Sequence, residues 1–142
     1  MTDTVSQQAH GRVVVLSLAR PQAGNAFDSQ IVEDLLRALD RIEPHSCDTI
    51  VFRGEGKGFC GGLDLSELSS ETDATFLARL VRIEMLLQRV ASLPQETVAL
   101  AHRFAFGAGA DLFVACRRRI AAPGTRFSFP GVRFGIALGT GR

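Results

Sequence analysis

Two glycine-rich segments in this 142-residue chain carry the residues best suited to chemistry. The first is Gly54-Glu-Gly-Lys-Gly-Phe-Cys-Gly-Gly-Leu-Asp64, and the second is Phe106-Gly-Ala-Gly-Ala-Asp111. Clustered glycine marks positive-φ turns or close backbone approach. A phosphate-binding P-loop needs GxxxxGK followed by Ser or Thr, whereas Lys57 is followed by Gly58. A dinucleotide GxGxxG opens a helix directly after its strand, whereas Phe59-Cys60 intervene here. What the first loop does offer is exposed backbone N–H groups near Gly62, Leu63 and Asp64. The second segment opens a short apolar helix, where unpaired N–H groups and the positive end of the helix dipole favour an anion. Two such donors from two loops make an oxyanion hole when they converge. Taken singly, each segment also reads as a turn that reverses the chain.

Among side chains, Asp111 lies in the second segment, near the first turn of its helix. Stabilisation of the first helical turn by an acid explains the same residue without catalysis. Cys60 has no His or acid tied to it by a motif, so it does not read as a nucleophile. Cys116 reads as a small core residue, and His102 as the maker of a structural hydrogen bond. Arg117-Arg-Arg119 suits a helix C-terminus or a neighbouring subunit. That triplet is too short, and too poor in interleaved aromatics, for nucleic acid.

These groups need a frame, and hydrophobic periodicity supplies one. Arg12 to Ala19 is β-branched and apolar, a buried strand that pairs with residues 4–9 through His10-Gly11. Gln22 to Phe27 reads as a loop. Asp28 or Ser29 caps a helix with apolar positions Ile31, Val32, Leu35, Leu36, Leu39 and Ile42. Thr49 to Phe52 is a second strand. A long helix spans about Asp73 to Ser92, with the stripe Phe76, Leu80, Ile83, Leu87 and Val90. Thr97 to Ala101 is a third strand, Ala108 to Cys116 a short buried helix, and 119–122 and 126–129 are strand candidates. Strands alternating with helices predict an α/β fold.

Composition narrows the partners. The chain is 46% hydrophobic and 22% charged, with a net charge of +1, which excludes nucleic-acid binding driven by bulk charge. The longest apolar runs are far too short to span a bilayer, and the polar start lacks signal-peptide architecture, so a cytoplasmic protein without membrane contact is expected. Three cysteines without CxxC spacing argue against disulfides and structural zinc.

Five segments then match a known pattern in order: Arg20-Pro21 with Asn25-Ala26-Phe27; Gly56 to Leu65; Ala101 to Leu112; Cys116-Arg-Arg-Arg-Ile-Ala-Ala122; and Phe127-Ser-Phe-Pro-Gly-Val-Arg-Phe-Gly-Ile136. They resemble, respectively, the RP…NAL, GxxFCAGADL, NGxAxGGGxEL, CDxRIA and FxxPEVxLGI segments of the crotonase superfamily, in its enoyl-CoA hydratase/isomerase family. The resemblance implies a crotonase-like α/β spiral of ββα units that binds an acyl-CoA thioester. By position, the oxyanion donors are the N–H groups of Leu63 and Ala108. Gly24, Ala26, Phe27, Gly61, Asp64, Leu65, Phe106 and Gly107 line the coenzyme A path, with Lys57 or Arg20 near its phosphates. Coenzyme A enters as part of the substrate, with no prosthetic group and no metal. A homo-oligomer, a trimer or dimer of trimers, is the family expectation, as is a role in fatty acid metabolism.

The pattern breaks at the acids. Family hydratases use two glutamates. Asp111 stands at the first position, one methylene shorter, and Gly131 at the second. The later turn where related isomerases place an acid reads Ala137-Leu-Gly-Thr-Gly141, with no acid. A lone Asp111, buried beside the thioester with a raised pKa, can act as a single acid/base, which suits double-bond isomerisation, or another enolate reaction, better than hydration. The alternative is a non-catalytic acyl-CoA-binding or assembly subunit that has lost the second acid. Residues 1–142 correspond to the N-terminal core of the family and lack its C-terminal helical region, so an exposed apolar patch is expected.

Overall fold

A computed structural model describes residues 4–66 and 68–135. Strands β1 (Val5–His10) and β2 (Val13–Leu18) form an antiparallel hairpin that turns at Gly11. A 3-10 turn at Pro21–Ala23 follows where a plain loop is expected. Helix α1 (Ser29–Asp40) then starts at Asp28, whose carboxylate accepts the Ile31 N–H at 2.9 Å. It buries Ile31, Val32, Leu35, Ala38 and Leu39, much as the periodicity predicts. Strand β3 (Thr49–Gly54) leads into the first glycine loop, and α2 (Asp73–Ala91) begins with a capping box between Thr72 and Thr75. Helix α2 buries Ile83, Leu87 and Val90 as expected, and Leu86 and Arg79 besides.

Strand β4 (Glu96–Ala101) is followed by β5 (Phe104–Phe106), a strand that the hydrophobic periodicity does not predict. Helix α3 (Ala108–Ala115), β6 (Arg118–Ala121), β7 (Arg126–Ser128) and a 3-10 turn (Pro130–Phe134) complete the described chain. The main sheet runs β1-β2-β3-β4-β6, parallel from β2 onward, while β5 and β7 pair in parallel as a second sheet. Successive strands β4, β5, β6 and β7 thus go alternately to the two sheets. That alternation is the ββα spiral of a crotonase-like α/β fold.

Parallel register aligns Leu16, Phe52 and Ala99 across three strands, and all three are fully buried. Strand β6, at the edge of the sheet, is exposed along its length. An exposed apolar surface is present as expected: Leu77, Val81 and Met85 recur every four residues along α2, and Leu100 lies beside Ile120 on the sheet. Among the described residues, no helix is long and apolar enough to cross a membrane, and no three His, Cys, Asp or Glu groups come together to hold a metal.

Candidate active site

The two glycine segments meet. An isolated bridge joins Cys60 to Ala105, with the Cys60 carbonyl accepting the Phe106 N–H at 3.0 Å. Gly62 packs so closely that a Cβ there would stand 2.4 Å from the Phe106 carbonyl oxygen and 3.3 Å from the Ala108 nitrogen. Its φ of +87° is a further reason for glycine at this position.

Peptide planarity sets where the neighbouring N–H groups point. The Gly62 carbonyl accepts the Phe27 N–H at 2.6 Å, and the Asp64 N–H donates to the Phe27 carbonyl at 3.0 Å. In a trans peptide the N–H lies opposite the C=O, so the Leu63 N–H is turned away from Phe27. The Gly107 carbonyl likewise accepts the Asp111 N–H at 3.0 Å along α3, which sends the Ala108 N–H off the helix N-terminus. Among the described residues, neither N–H has an acceptor. Gly107 itself is anchored through its N–H to the Ser128 carbonyl, 2.7 Å away on β7.

The segment from Gly24 to Phe27 is stitched to the first loop by Asn25, which is fully buried with φ +56°. Its amide nitrogen faces the carbonyls of Glu55, Gly58 and Phe59 at 2.9, 3.1 and 3.2 Å, and its oxygen accepts the Arg20 N–H. The Gly61 N–H donates to the Gly24 carbonyl at 2.9 Å. Gly24, Ala26, Phe27, Gly61 and Leu63 therefore share one wall. Phe27 is fully buried beneath it, while Leu65 is half-buried.

Charges lock the same wall. The Arg20 guanidinium bonds Asp64 at 2.6 Å, the Ala26 carbonyl at 3.1 Å and Asp28 at 3.3 Å. Arg20 is thus an internal brace, whereas Lys57 is exposed on the loop. Burial opposes the Asp64 charge, but hydrogen bonds from Ser66 and Arg20 outweigh it and hold the carboxyl at about 2, so Asp64 is ionised at neutral pH. On the far side, the Arg79 guanidinium donates to the Asp64 carbonyl and to Glu71, both at 2.8 Å.

Asp111 is buried, 4% exposed, one turn into α3 and three residues after Ala108, hence on the same helix face. Gly131 lies in the 3-10 turn after β7, and Pro130 of that turn flanks Gly107. Gly131 therefore comes to this region with no side chain. The turn of residues 137–141, where related isomerases place an acid, lies outside the described residues.

Secondary candidates fall into structural places. His102 Nε2 lies 3.0 Å from the Gly56 carbonyl, the structural hydrogen bond expected of it. Arg119 reaches the Val114 and Cys116 carbonyls at the end of α3, and Arg117 the Leu93 carbonyl just past α2. Of the residues that hold the wall, Asn25 lies in the segment Gly24 to Phe27 that the resemblance assigns to the coenzyme A path, whereas Arg79 carries no functional assignment from the sequence. The signal for Arg79 is a lone arginine on the apolar stripe between Phe76 and Leu80.

The enoyl-CoA hydratase/isomerase family model matches residues 8–142. The chain belongs to the enoyl-CoA hydratase/isomerase family. It is 37% identical over 137 residues to an enoyl-CoA hydratase of Alternaria alternata, covering 96% of this chain and 44% of that protein. An enoyl-CoA isomerase/hydratase of Mycosarcoma maydis is 32% identical over 136 residues, covering 89% of this chain and 50% of its own length. The crystal structure of an enoyl-CoA hydratase from Bacillus anthracis superposes with a TM-score of 0.91 at 29% identity, covering 97% of this chain and 55% of that one. The chain spans about half the length of the curated relatives it matches.

In this hydratase/isomerase-family chain, Cys60 is a packing residue. It is fully buried, its thiol faces the Asn25 carbonyl at 3.1 Å, and complete burial pushes the thiol up to about 12. Burial pushes the buried Cys116 thiol to about 12 as well. Neither supplies a thiolate at neutral pH. A thiol-specific chromogenic reagent is expected to leave Cys60 and Cys116 unmodified in the native protein and to label both in denaturant. Rapid native labelling of Cys60, located by peptide mapping, would contradict this packing.

Proposed function

We propose that the chain binds an acyl-CoA thioester and stabilises its enolate between the backbone N–H groups of Leu63 and Ala108, with Asp111 as the acid/base. The observation that carries this reading is the packing of Gly62 on the Phe106 carbonyl and the Ala108 nitrogen, beside two N–H groups that lack acceptors among the described residues. Donors fixed before the substrate arrives need no reorganisation as charge develops on the thioester oxygen. The α3 dipole adds a positive potential at the same place. Gly24, Ala26, Phe27, Gly61, Asp64 and Leu65, with Phe106 and Gly107 opposite, form the coenzyme A path, and no prosthetic group takes part.

With one carboxylate, the reaction that fits is movement of a double bond in an enoyl-CoA. Asp111 takes a proton from the α-carbon of a 3-enoyl thioester, the electron pair delocalises onto the oxygen as a dienolate, and the same proton returns at the γ-carbon. No water is added, so no second acid is required. Family membership supports the substrate class, and the exposed stripe on α2 supports a homo-oligomer; a trimer or dimer of trimers in a cytoplasmic setting is the form the family resemblance implies.

Gly131 favours a second reading, a non-catalytic acyl-CoA-binding subunit. Titration calorimetry with butyryl-CoA, run beside turnover assays on crotonyl-CoA and a 3-enoyl-CoA, separates the two. Conversion of the 3-enoyl thioester supports the isomerase reading. Binding without turnover of either substrate selects the subunit, and no binding defeats both.

A further inference from the structure

A guanidinium buried among apolar side chains persists where fixed acceptors meet its donors. Arg79 sits on the inner face of α2 between Phe76 and Leu80, with its side chain 4% exposed. Its Nη1 donates to the main-chain carbonyl of Asp64 and its Nη2 to the Glu71 carboxylate, each at 2.8 Å, and the guanidinium lies 5.7 Å from the centre of the Phe76 ring. Both acceptors belong to the segment that links Leu63 to the start of α2.

Asp64 is consequently held at every polar group. Its N–H is on the Phe27 carbonyl, its carboxylate is on Arg20 and the Ser66 N–H, and its carbonyl is on Arg79. The preceding peptide is held by the bond from Phe27 to the Gly62 carbonyl. Leu63 thus lies between one pinned peptide plane and one pinned residue, and Arg79 is the element of that clamp reached from α2. Without it the Asp64 carbonyl loses its bond to α2, and the loop's own restraint on that peptide is reduced to the Ser66 N–H on the Asp64 carboxylate.

We infer that Arg79 is a positioning residue for the Leu63 N–H, acting through the Asp64 carbonyl. The inference rests on the reading that the Leu63 N–H is an oxyanion donor. Donor alignment matters because a displacement of about 1 Å in a catalytic group can lower turnover by roughly 10²-fold.

The test compares wild type, Arg79→Met and Arg79→Lys in the full chain. Each is checked for folding by circular dichroism and thermal melting. Two further readouts are the infrared carbonyl band of bound, carbonyl-labelled butyryl-CoA and kcat and KM for a 3-enoyl-CoA. In wild type the band is expected to move to lower frequency on binding. Arg79→Met, folded, is expected to lose most of that movement and to lower kcat by about 10²-fold with KM within about twofold. Arg79→Lys, which restores one donor, is expected to recover part of both. A folded Arg79→Met with wild-type band position and kcat overturns the positioning role and leaves the oxyanion reading standing. No band movement in wild type overturns both. Loss of folding in both variants assigns Arg79 to stability alone and overturns the proposal.

Discussion

Asp111→Asn is expected to lower turnover of a 3-enoyl-CoA by about 10²–10⁴-fold, the usual contribution of a positioned acid/base. Asparagine keeps the size and hydrogen-bonding reach of aspartate but accepts no proton. Asp111 is 4% exposed, and its backbone N–H closes the first turn of α3 on Gly107, so the substitution leaves that turn intact. The measurement is kcat and KM on the same 3-enoyl-CoA, with butyryl-CoA affinity from calorimetry as the control. The affinity is expected to stay within about twofold, because in the proposed mechanism the side chain acts on the proton and not on the coenzyme. Equal kcat in the two proteins would remove Asp111 from the mechanism and leave it as a first-turn acid that favours the helix dipole.

Gly62→Ala attacks the other half of the site. The new Cβ would stand 2.4 Å from the Phe106 carbonyl oxygen and 3.3 Å from the Ala108 nitrogen, both backbone atoms that no rotamer change can move. It also places a side chain at φ +87°, a region that alanine adopts at a cost of about 1–2 kcal/mol. Relief requires the two loops to part, which separates the Leu63 and Ala108 donors. A fall in kcat of about 10²–10³-fold is expected, comparable to deleting an oxyanion donor. A loss of stability of about 1–3 kcal/mol from overpacking is expected beside it. Gly11→Ala is the control: its φ is +59°, and nothing lies within 4 Å of the built Cβ. That variant should lose a little stability and no activity. If Gly62→Ala matched it in both thermal melting and kcat, the packed loop junction would have no functional weight.

Much of the frame was legible because its signals are local. The Asp28 cap, the stripe Ile83, Leu87 and Val90, and the hairpin at Gly11 depend on residues within a turn or two of one another. Strand β5 is not legible in the sequence because three residues, Phe104 to Phe106, are too few to show an alternation, and their partners Arg126 to Ser128 on β7 are distant in the chain. The site divides in the same way. The glycines at 62 and 107 announce unusual backbone, and both have positive φ. Nothing local announces that Asn25 binds three carbonyls of the loop beginning at Gly54, or that Arg79 holds the carbonyl of Asp64.

By itself, then, the amino-acid sequence determined the order of the longer helices and strands, the family and the two segments from which donors could come. The tertiary structure decided that those segments touch, that the Leu63 and Ala108 N–H groups are left without acceptors among the described residues, and that Arg20 and Arg79 brace the loop instead of facing solvent. The physical reason is distance along the chain. Caps and periodicity follow from torsions and burial over a few residues. By contrast, the contact of Gly62 with Phe106 and Ala108 exists only once β3, β4 and β6 lie side by side and α3 is threaded back against the first loop.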